Sequence, residues 1–153
     1  MIDFDNELKF LKIAENLKTE LRHAYLSNGN RQESVAEHSW RLALMVLRFY
    51  DRVDQIINLE KALSLALVHD LGEAHAGDVC VMDLQTPHAQ AEKYKAELAG
   101  LMQIKNLLGD ANAKQIFLLW QEYEDQQAYE SKFVKALDKM EAWIQHNEGP
   151  LST

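Results

Sequence analysis

The sequence predicts an all-α protein of about five or six helices. Apolar residues recur every three or four positions along most of the chain, which is the spacing that lines one face of an α-helix. Breaks between such segments are few, because the 153 residues include only two prolines and six glycines. The length and the 47% hydrophobic content are typical of one globular domain. We therefore expect residues 1–153 to form a single domain with no linker and no internal repeat.

The first three predicted helices are separated by clear breaks. The second helix follows Ser34, and a connection over residues 51–58 leads to the third. The third begins after Asn58, a residue type that caps helix N-termini, and residues 62–68 are apolar almost all round, as in a helix buried on every side. The first helix ends before the turn at residues 28–30, and its apolar stripe contains Phe4, Leu8, Leu11, Ala14, Leu17 and Leu21.

Three more helices are predicted in the second half of the chain. Residues 72–85 contain two glycines and no sustained periodicity, so we expect a loop there. Thr86 and Pro87 open a fourth helix, since threonine is a suitable N-cap and proline is favoured at the first helical position. Residues 109–110 close this helix, and the fifth and sixth helices follow around residues 116–123 and 133–144.

The composition excludes several classes of function. Sixteen Lys and Arg against twenty-four Asp and Glu give a net charge of −8, which repels nucleic-acid backbones and anionic lipids. The longest unbroken apolar run, residues 42–47, is far shorter than the ~20 residues that a bilayer requires. The single cysteine, Cys80, cannot form an internal disulfide, and residues 1–7 do not resemble a signal peptide. We therefore expect a cytoplasmic protein that binds neither a nucleic-acid polymer nor a membrane.

Four ionisable side chains fall on apolar helix faces. His38 shares the stripe of the second helix, His69 and Asp70 end the third, and Asp138 lies on the sixth. One such histidine alone is more often a satisfied core residue, but a buried carboxylate must be paired, hydrogen-bonded or protonated, and a metal ion can compensate two of them together. Two imidazoles and two carboxylates without a thiolate favour a divalent ion such as Mn²⁺, Co²⁺, Fe²⁺, Zn²⁺ or Mg²⁺ over a cysteine-based structural zinc site.

Longer segments surround these four residues, over residues 33–40, 69–78 and 132–139, and a further segment covers residues 119–124. With a His on one helix, an adjacent His-Asp on another and a distant Asp on a later one, they resemble the HD-domain metal-dependent phosphohydrolases, and specifically the YfbR-like 5′-deoxynucleotidase branch. The matches run in order over about residues 17–145. The resemblance implies an HD-domain fold, one divalent metal ion held by the four residues, a homodimer, and release of phosphate from 2′-deoxynucleoside 5′-monophosphates.

The resemblance also implies roles for three residues outside the metal set. Glu73, in the pattern His-Asp-x-x-Glu, matches the acidic residue that orients or deprotonates the attacking water. Arg22, expected near the end of the first helix, matches the arginine that holds the substrate phosphate, for which a guanidinium presents a planar fork of donors. Asp78 matches the residue that accepts a hydrogen bond from a deoxyribose hydroxyl. His23 stands where some members have an aromatic residue after the arginine, so the resemblance defines phosphate binding better than base and sugar selectivity.

Other interpretations remain open at this point. His75 and His88 flank the loop in which some HD proteins hold a second metal, but their spacing does not support this and we expect one ion. Arg31 is a second candidate for phosphate contact or, equally, a solvated loop charge. Glu73 is followed by Ala74, so the Glu-Asp pair of related alarmone hydrolases is missing. The alternatives are a non-catalytic metal-containing nucleotide-binding protein, a hydrolase of another phosphoester, and a purely structural helical bundle.

Overall fold

Six α-helices of ten or more residues and one of four residues make up most of the computed structural model, which describes residues 3–150 apart from the side chain of Val81. The all-α prediction is confirmed, with a small hairpin added. Residues 1, 2 and 151–153 lie outside the described residues, so the assignment of residues 1–153 to one domain stays a prediction. The helices are α1 (Phe4–Ala14), α2 (Val35–Phe49), α3 (Leu59–Val68), α4 (Glu73–Ala76), α5 (Pro87–Leu108), α6 (Asp110–Asp125) and α7 (Tyr129–Glu148).

An antiparallel hairpin occupies the place where the first helix was expected to end. Helix α1 stops at Ala14, a 3₁₀ turn follows over Glu15–Lys18, and β1 (Leu21–Tyr25) pairs with β2 (Gln32–Ser34). The expectation of helix up to the turn at residues 28–30 is therefore wrong. Leu17 and Leu21 continue the helical spacing, but the exposure of β1 alternates from residue to residue, as in a strand with one face against the protein.

The predicted apolar stripe of α1 is not its buried face. Phe4, Leu8 and Leu11 are 70%, 50% and 60% exposed. Helix α1 instead packs through Phe10 and Ile13 against the core cluster described below. The spacing is helical as predicted, but α1 carries two apolar faces and the sequence alone does not show which one packs against α5.

The predicted starts of α2, α3 and α5 are confirmed. Ser34 caps α2 in a capping box, in which its hydroxyl accepts from the Glu37 backbone N–H and its own N–H donates to the Glu37 carboxylate. Asn58 caps α3, and Thr86 caps α5 with proline at the first position. Gly109, at a φ of +82°, ends α5 as expected.

The core consists of two apolar clusters. One lies between α2, α3, α6 and α7, and the other lies between α5, α6 and the N-terminal segment. Among the described helices, none is both long and apolar enough to span a membrane. The first cluster includes Leu42, Val46, Leu65, Tyr123 and Leu137, and the second includes Val35, Leu71, Leu101, Ile104 and Trp120.

The segment predicted as a loop over residues 72–85 contains α4 and a 3₁₀ turn at Val81–Asp83. The start of helix α4 lies very close to α5, as the space at two glycines shows. A Cβ atom at Gly72 would be 2.7 Å from Cβ of Glu97, and one at Gly100 would be 2.9 Å from the carbonyl oxygen of Gly72. Only residues without a side chain allow this approach. It brings the α5 side chains next to Glu73 at the start of α4.

Candidate metal centre

The four residues predicted as metal ligands meet where the start of α2 and the end of α3 face the middle of α7. Nε2 of His38 lies 3.1 Å from Oδ1 of Asp138 and 3.8 Å from Oδ2 of Asp70. Nε2 of His69 lies 3.0 Å from Oδ2 of Asp70 and 4.0 Å from Oδ1 of Asp138. Both imidazoles are buried, while both carboxylates retain some exposure. The structure therefore brings together all four side chains that the sequence singled out.

The arrangement fits a divalent metal ion. One ligand atom each from His38, His69 and Asp138 lies within 4.8 Å of the other two. Nδ1 of His69 lies 2.9 Å from the carbonyl oxygen of Ala66, whereas its buried Nε2 has no partner in hydrogen-bond geometry among residues 3–150, despite its proximity to Asp70. With the proton on Nδ1 donated to Ala66, Nε2 presents an unshared lone pair toward the carboxylates, which is the form of histidine that binds metals.

The protonation of these groups shows how strongly they interact. Burial raises the pKa of Asp70, but the imidazoles of His69 and His38 and the Arg22 guanidinium lower it well below its usual range. Burial likewise opposes ionisation of Asp138, but the hydrogen bond from His38 outweighs it and holds the pKa of Asp138 below the usual value. Desolvation lowers the pKa of His38, yet hydrogen bonds to Asp138 and Glu141 outweigh it and raise the pKa to about 9. The two carboxylates are thus negatively charged and available to a cation.

Glu73 lies beside this cluster, one turn beyond Asp70. Its side chain is buried, and its backbone N–H donates to the carbonyl oxygen of Asp70. Nζ of Lys93 on α5 donates to Oε1 of Glu73 at 2.9 Å and also to Glu97, while Oε2 of Glu73 has no hydrogen-bond partner within residues 3–150. Burial and the charge of Asp70 raise the pKa of Glu73 to about 9, against the opposing effect of Lys93.

Arg22 lies on β1 rather than near a helix end, so that part of the prediction is wrong. Its side chain nevertheless reaches the ligand set. Nη1 of Arg22 donates to Oδ2 of Asp70 at 3.4 Å, and Nε lies 3.8 Å from Oε2 of Glu33. Asp78 is half-buried, and its backbone N–H donates to Oε1 of Glu20 at 2.9 Å. Burial raises the pKa of Asp78, while the nearby charge of Arg22 lowers it.

Sequence reasoning missed the side chains that hold the ligands in place. Oε2 of Glu141 lies 2.5 Å from Nδ1 of His38, and the Tyr123 hydroxyl donates to Oδ2 of Asp138 at 2.6 Å. A pattern in the sequence could have identified both residues. Glu141 lies three residues after Asp138 on the same helix face, where a further charge is anomalous, and Tyr123 lies in the matched segment 119–124.

The two candidates for a second metal site and the second candidate for phosphate contact do not belong to the ligand set. His75 and His88 are exposed. Among residues 3–150 they belong neither to the group of His38, His69 and Asp138 nor to the second group of close potential ligand atoms, from Glu33, His38 and Glu141. The Arg31 guanidinium is paired with both carboxylate oxygens of Glu37, at 2.8 and 2.5 Å. This supports the interpretation of Arg31 as a surface charge, and the number of metal ions stays a prediction.

Comparison with known proteins assigns the family. A family model described as an HD domain matches residues 14–151. The chain belongs to the HD domain family. Among proteins of known structure, it resembles a predicted metal-dependent phosphohydrolase from Magnetospirillum magnetotacticum with a TM-score of 0.83 and 29% identity, covering 97% of this chain and 75% of that one. A conserved hypothetical protein from Pyrococcus furiosus has a TM-score of 0.70 and 31% identity over 92% of this chain and 81% of that one.

Curated relatives carry a more specific name. The 5′-deoxynucleotidase HDDC2 of Danio rerio is 39% identical over 145 residues, which cover 94% of this chain and 70% of that protein. The 5′-deoxynucleotidase HDDC2 of Homo sapiens is 37% identical over 142 residues, covering 92% of this chain and 67% of that protein. The resemblance to HD-domain phosphohydrolases of the 5′-deoxynucleotidase type is thereby confirmed.

Proposed function

We propose that this HD-domain protein is an enzyme that hydrolyses 2′-deoxynucleoside 5′-monophosphates to a nucleoside and phosphate with the help of one divalent metal ion. The observation that carries the proposal is the convergence of His38 from α2, His69 and Asp70 from the end of α3, and Asp138 from α7 at one largely buried point. The relatives named 5′-deoxynucleotidase, similar over more than nine-tenths of this chain, support the substrate class. The donor set suits Mn²⁺, Co²⁺, Fe²⁺, Zn²⁺ or Mg²⁺.

The four ligands are prepared for a cation by their surroundings. Asp70 and Asp138 are held ionised by neighbouring positive charge, and Nε2 of His69 carries an unshared lone pair. When bound, the ion supplies Lewis-acid polarisation of the phosphate and of the attacking water. The proton on Nε2 of His38 must leave before that nitrogen can act as a ligand, so we expect metal binding to release a proton.

Glu73 is the residue we assign to the attacking water. Lys93 holds its Oε1, which leaves Oε2 free to orient a water molecule through a hydrogen bond. In its ionised form, Glu73 can also accept the proton of that water. The positive charge of Lys93 favours the ionised carboxylate and so opposes the effect of burial. Glu73 thereby combines a fixed orientation with a free acceptor oxygen.

Arg22 and Asp78 are assigned to the substrate. The 3.4 Å contact between Arg22 and Asp70 is long for a charge-assisted hydrogen bond, so the guanidinium keeps donors for a phosphate that approaches the ligand set. Asp78 is near enough to Arg22 for their charges to interact. A half-buried carboxylate in this place can accept a hydrogen bond from a sugar hydroxyl.

The test is phosphate release from a panel of deoxyribo- and ribonucleoside 5′-monophosphates. Protein stripped of metal is supplied separately with Mn²⁺, Co²⁺, Zn²⁺ or Mg²⁺, and Glu73→Gln is measured in parallel. We expect metal-dependent release that favours the deoxy forms, and a Glu73→Gln variant that binds metal normally but is about 10²-fold or more slower. Equal rates with deoxyribo- and ribonucleotides would refute the proposed preference for deoxyribose. No release with any metal would favour a non-catalytic nucleotide-binding protein or a different phosphoester.

We also propose that the protein is a homodimer, as the family resemblance implies, and that it is cytoplasmic, as the sequence predicts. Large apolar side chains stand exposed on two helices that pack against each other, α2 and α7. Light scattering tests this with Trp143→Glu, which should give a monomer, and with Ile56→Glu as an exposed apolar control outside both helices. A monomeric wild-type protein would refute it. The exposed residues are Trp40, Leu44 and Leu47 on α2 and Met140, Trp143 and Ile144 on α7.

A further inference from the structure

One aromatic side chain of α6 contacts two of the four proposed ligands. Tyr123 is only 2% exposed, and its hydroxyl donates to Oδ2 of Asp138 at 2.6 Å. Its ring meets the imidazole of His69 edge-on, with the ring centroids 5.1 Å apart. Tyr123 therefore lies between the ligand from α7 and the ligand at the end of α3, although α6 itself contributes no ligand to the proposed set.

The two oxygens of Asp138 face different partners. Oδ1 lies 3.1 Å from Nε2 of His38 and 4.0 Å from Nε2 of His69, on the side where the ligand atoms converge. Oδ2 is bound by the Tyr123 hydroxyl and lies 3.6 Å from Nζ of Lys135. A carboxylate can bind a metal through one oxygen or through both. Here Oδ2 is held by the tyrosine on α6, whereas Oδ1 faces the two imidazoles of the proposed ligand set.

Lys135 gives the tyrosine hydroxyl a defined direction. Its Nζ donates to the Tyr123 oxygen at 3.0 Å and lies 4.5 Å from the centre of the ring. An ammonium group has donors only, so the hydroxyl accepts from Lys135 and its single hydrogen is directed to Asp138. The three side chains thus form a chain of hydrogen bonds from Lys135 through Tyr123 to Oδ2.

We propose that Tyr123 is a positioning residue of the metal centre, which holds Oδ2 of Asp138 so that this carboxylate binds the metal through Oδ1 alone. The inference rests on the proposed function, because it requires the metal site described there. It also assigns a role to residues 119–124, which the sequence singled out but the mechanism does not use. Trp120, fully buried three residues earlier on the same helix, anchors the face from which Tyr123 projects.

The experiment compares metal binding by Tyr123→Phe and Tyr94→Phe. Tyr94→Phe is the matched control, because it removes a phenol hydroxyl from a ring that stacks on Trp120 instead of on a proposed ligand. Each metal-free protein is titrated with Co²⁺, and its visible absorption is recorded. We expect Tyr123→Phe to bind about tenfold more weakly or worse, with weaker visible bands because Asp138 can now bind through both oxygens and raise the coordination number. Tyr94→Phe should match the wild type in both.

The outcomes separate the inference from the function on which it rests. Failure of the wild-type protein to bind Co²⁺ would overturn both. Normal wild-type binding with an unchanged affinity and spectrum in Tyr123→Phe would overturn the positioning role alone, even if that variant melted at a lower temperature. If Tyr123→Phe does not fold, Lys135→Met decides the question, since Lys135 is partly exposed and Tyr123 remains in place. Because Lys135→Met frees the Tyr123 hydroxyl to turn away from Asp138, we expect the weaker visible bands of an Asp138 that binds through both oxygens. A wild-type spectrum in Lys135→Met would overturn the inference.

Discussion

Nδ1 of His38 lies 2.5 Å from Oε2 of Glu141, and both side chains are completely buried. The other oxygen of Glu141 lies 2.6 Å from Nε of Arg41, so this inward-facing carboxylate is balanced by an arginine from the helix that carries His38. A carboxylate on the far nitrogen of a metal-binding histidine fixes the ring and makes its other nitrogen a stronger ligand.

The first prediction concerns this pair. Glu141→Gln keeps the shape of the side chain but removes the charge, so we expect metal affinity to fall about tenfold, as measured by calorimetric titration. Glu148→Gln is the matched control, because Glu148 is also on α7 and also lies near Arg41, at 3.9 Å, but is exposed. Equal affinities for the two variants would show that Glu141 does not support His38.

A second prediction follows from the ion pair between Lys93 and Glu73. Lys93→Met removes the donor to Oε1, so the Glu73 carboxyl loses both its orientation and a charge that favours ionisation. We expect kcat to fall by about tenfold or more, with little change in KM or in metal content. Lys93→Arg should recover part of the rate, and Lys95→Met, at an exposed position on the same helix, should leave it unchanged. A fall in metal content that matched the fall in rate would contradict this assignment.

A third prediction concerns the energetic cost of burying Glu73. Burial raises its pKa to about 9, so between pH 4.5 and 9 the folded protein keeps a proton that the unfolded chain has released. The contribution of this carboxyl to stability therefore decreases as the pH rises through that interval. We expect metal-free Glu73→Gln to become progressively more stable than the wild type from pH 5 to pH 8, as measured by urea denaturation. A constant difference in the free energy of unfolding over this range would refute the prediction.

The helices were predictable because their signals are local. Ser34, Asn58 and Thr86 each cap a helix through a bond to a residue three positions along, and such a pattern can be read directly from the sequence. The hairpin was not predictable in this way. The pairing of Leu21 with Ser34 depends on contacts across the turn, while the spacing from Leu17 to Leu21 also fits a helix.

The same distinction applies to the site. His38, His69, Asp70 and Asp138 could be selected because a charged or titratable group on an apolar helix face is anomalous within its own helix. Their supporting partners could not be assigned, because each contact depends on which helices pack together. Glu141 meets His38 across 103 positions of sequence, and the approach that brings Lys93 to Glu73 depends on the glycines at the contact between α4 and α5.

A last prediction tests the electrostatic part of the α2 cap. Hydrogen bonds from Arg31, and also from Ser34, lower the pKa of Glu37 to about 2, although slight burial of the carboxyl acts in the opposite direction. A carboxyl with a lowered pKa stabilises the fold fully above its unfolded value near 4.5 and loses that contribution as the pH falls toward 2. Because Glu37 and Arg31 are 39% and 50% exposed, solvent screening limits the contribution to about 1 kcal/mol or less.

Glu37→Gln is the variant for this test, because glutamine preserves the capping-box geometry without the charge. Thermal denaturation between pH 2 and pH 7 should show the wild type more stable than Glu37→Gln at neutral pH, with the two melting temperatures converging near pH 2. Glu15→Gln is the control, since Glu15 forms a more exposed pair with Lys18 at 3.8 Å and should give little difference at any pH. A gap between wild type and Glu37→Gln that persisted unchanged at pH 2 would mean that the carboxylate charge does not stabilise the start of α2.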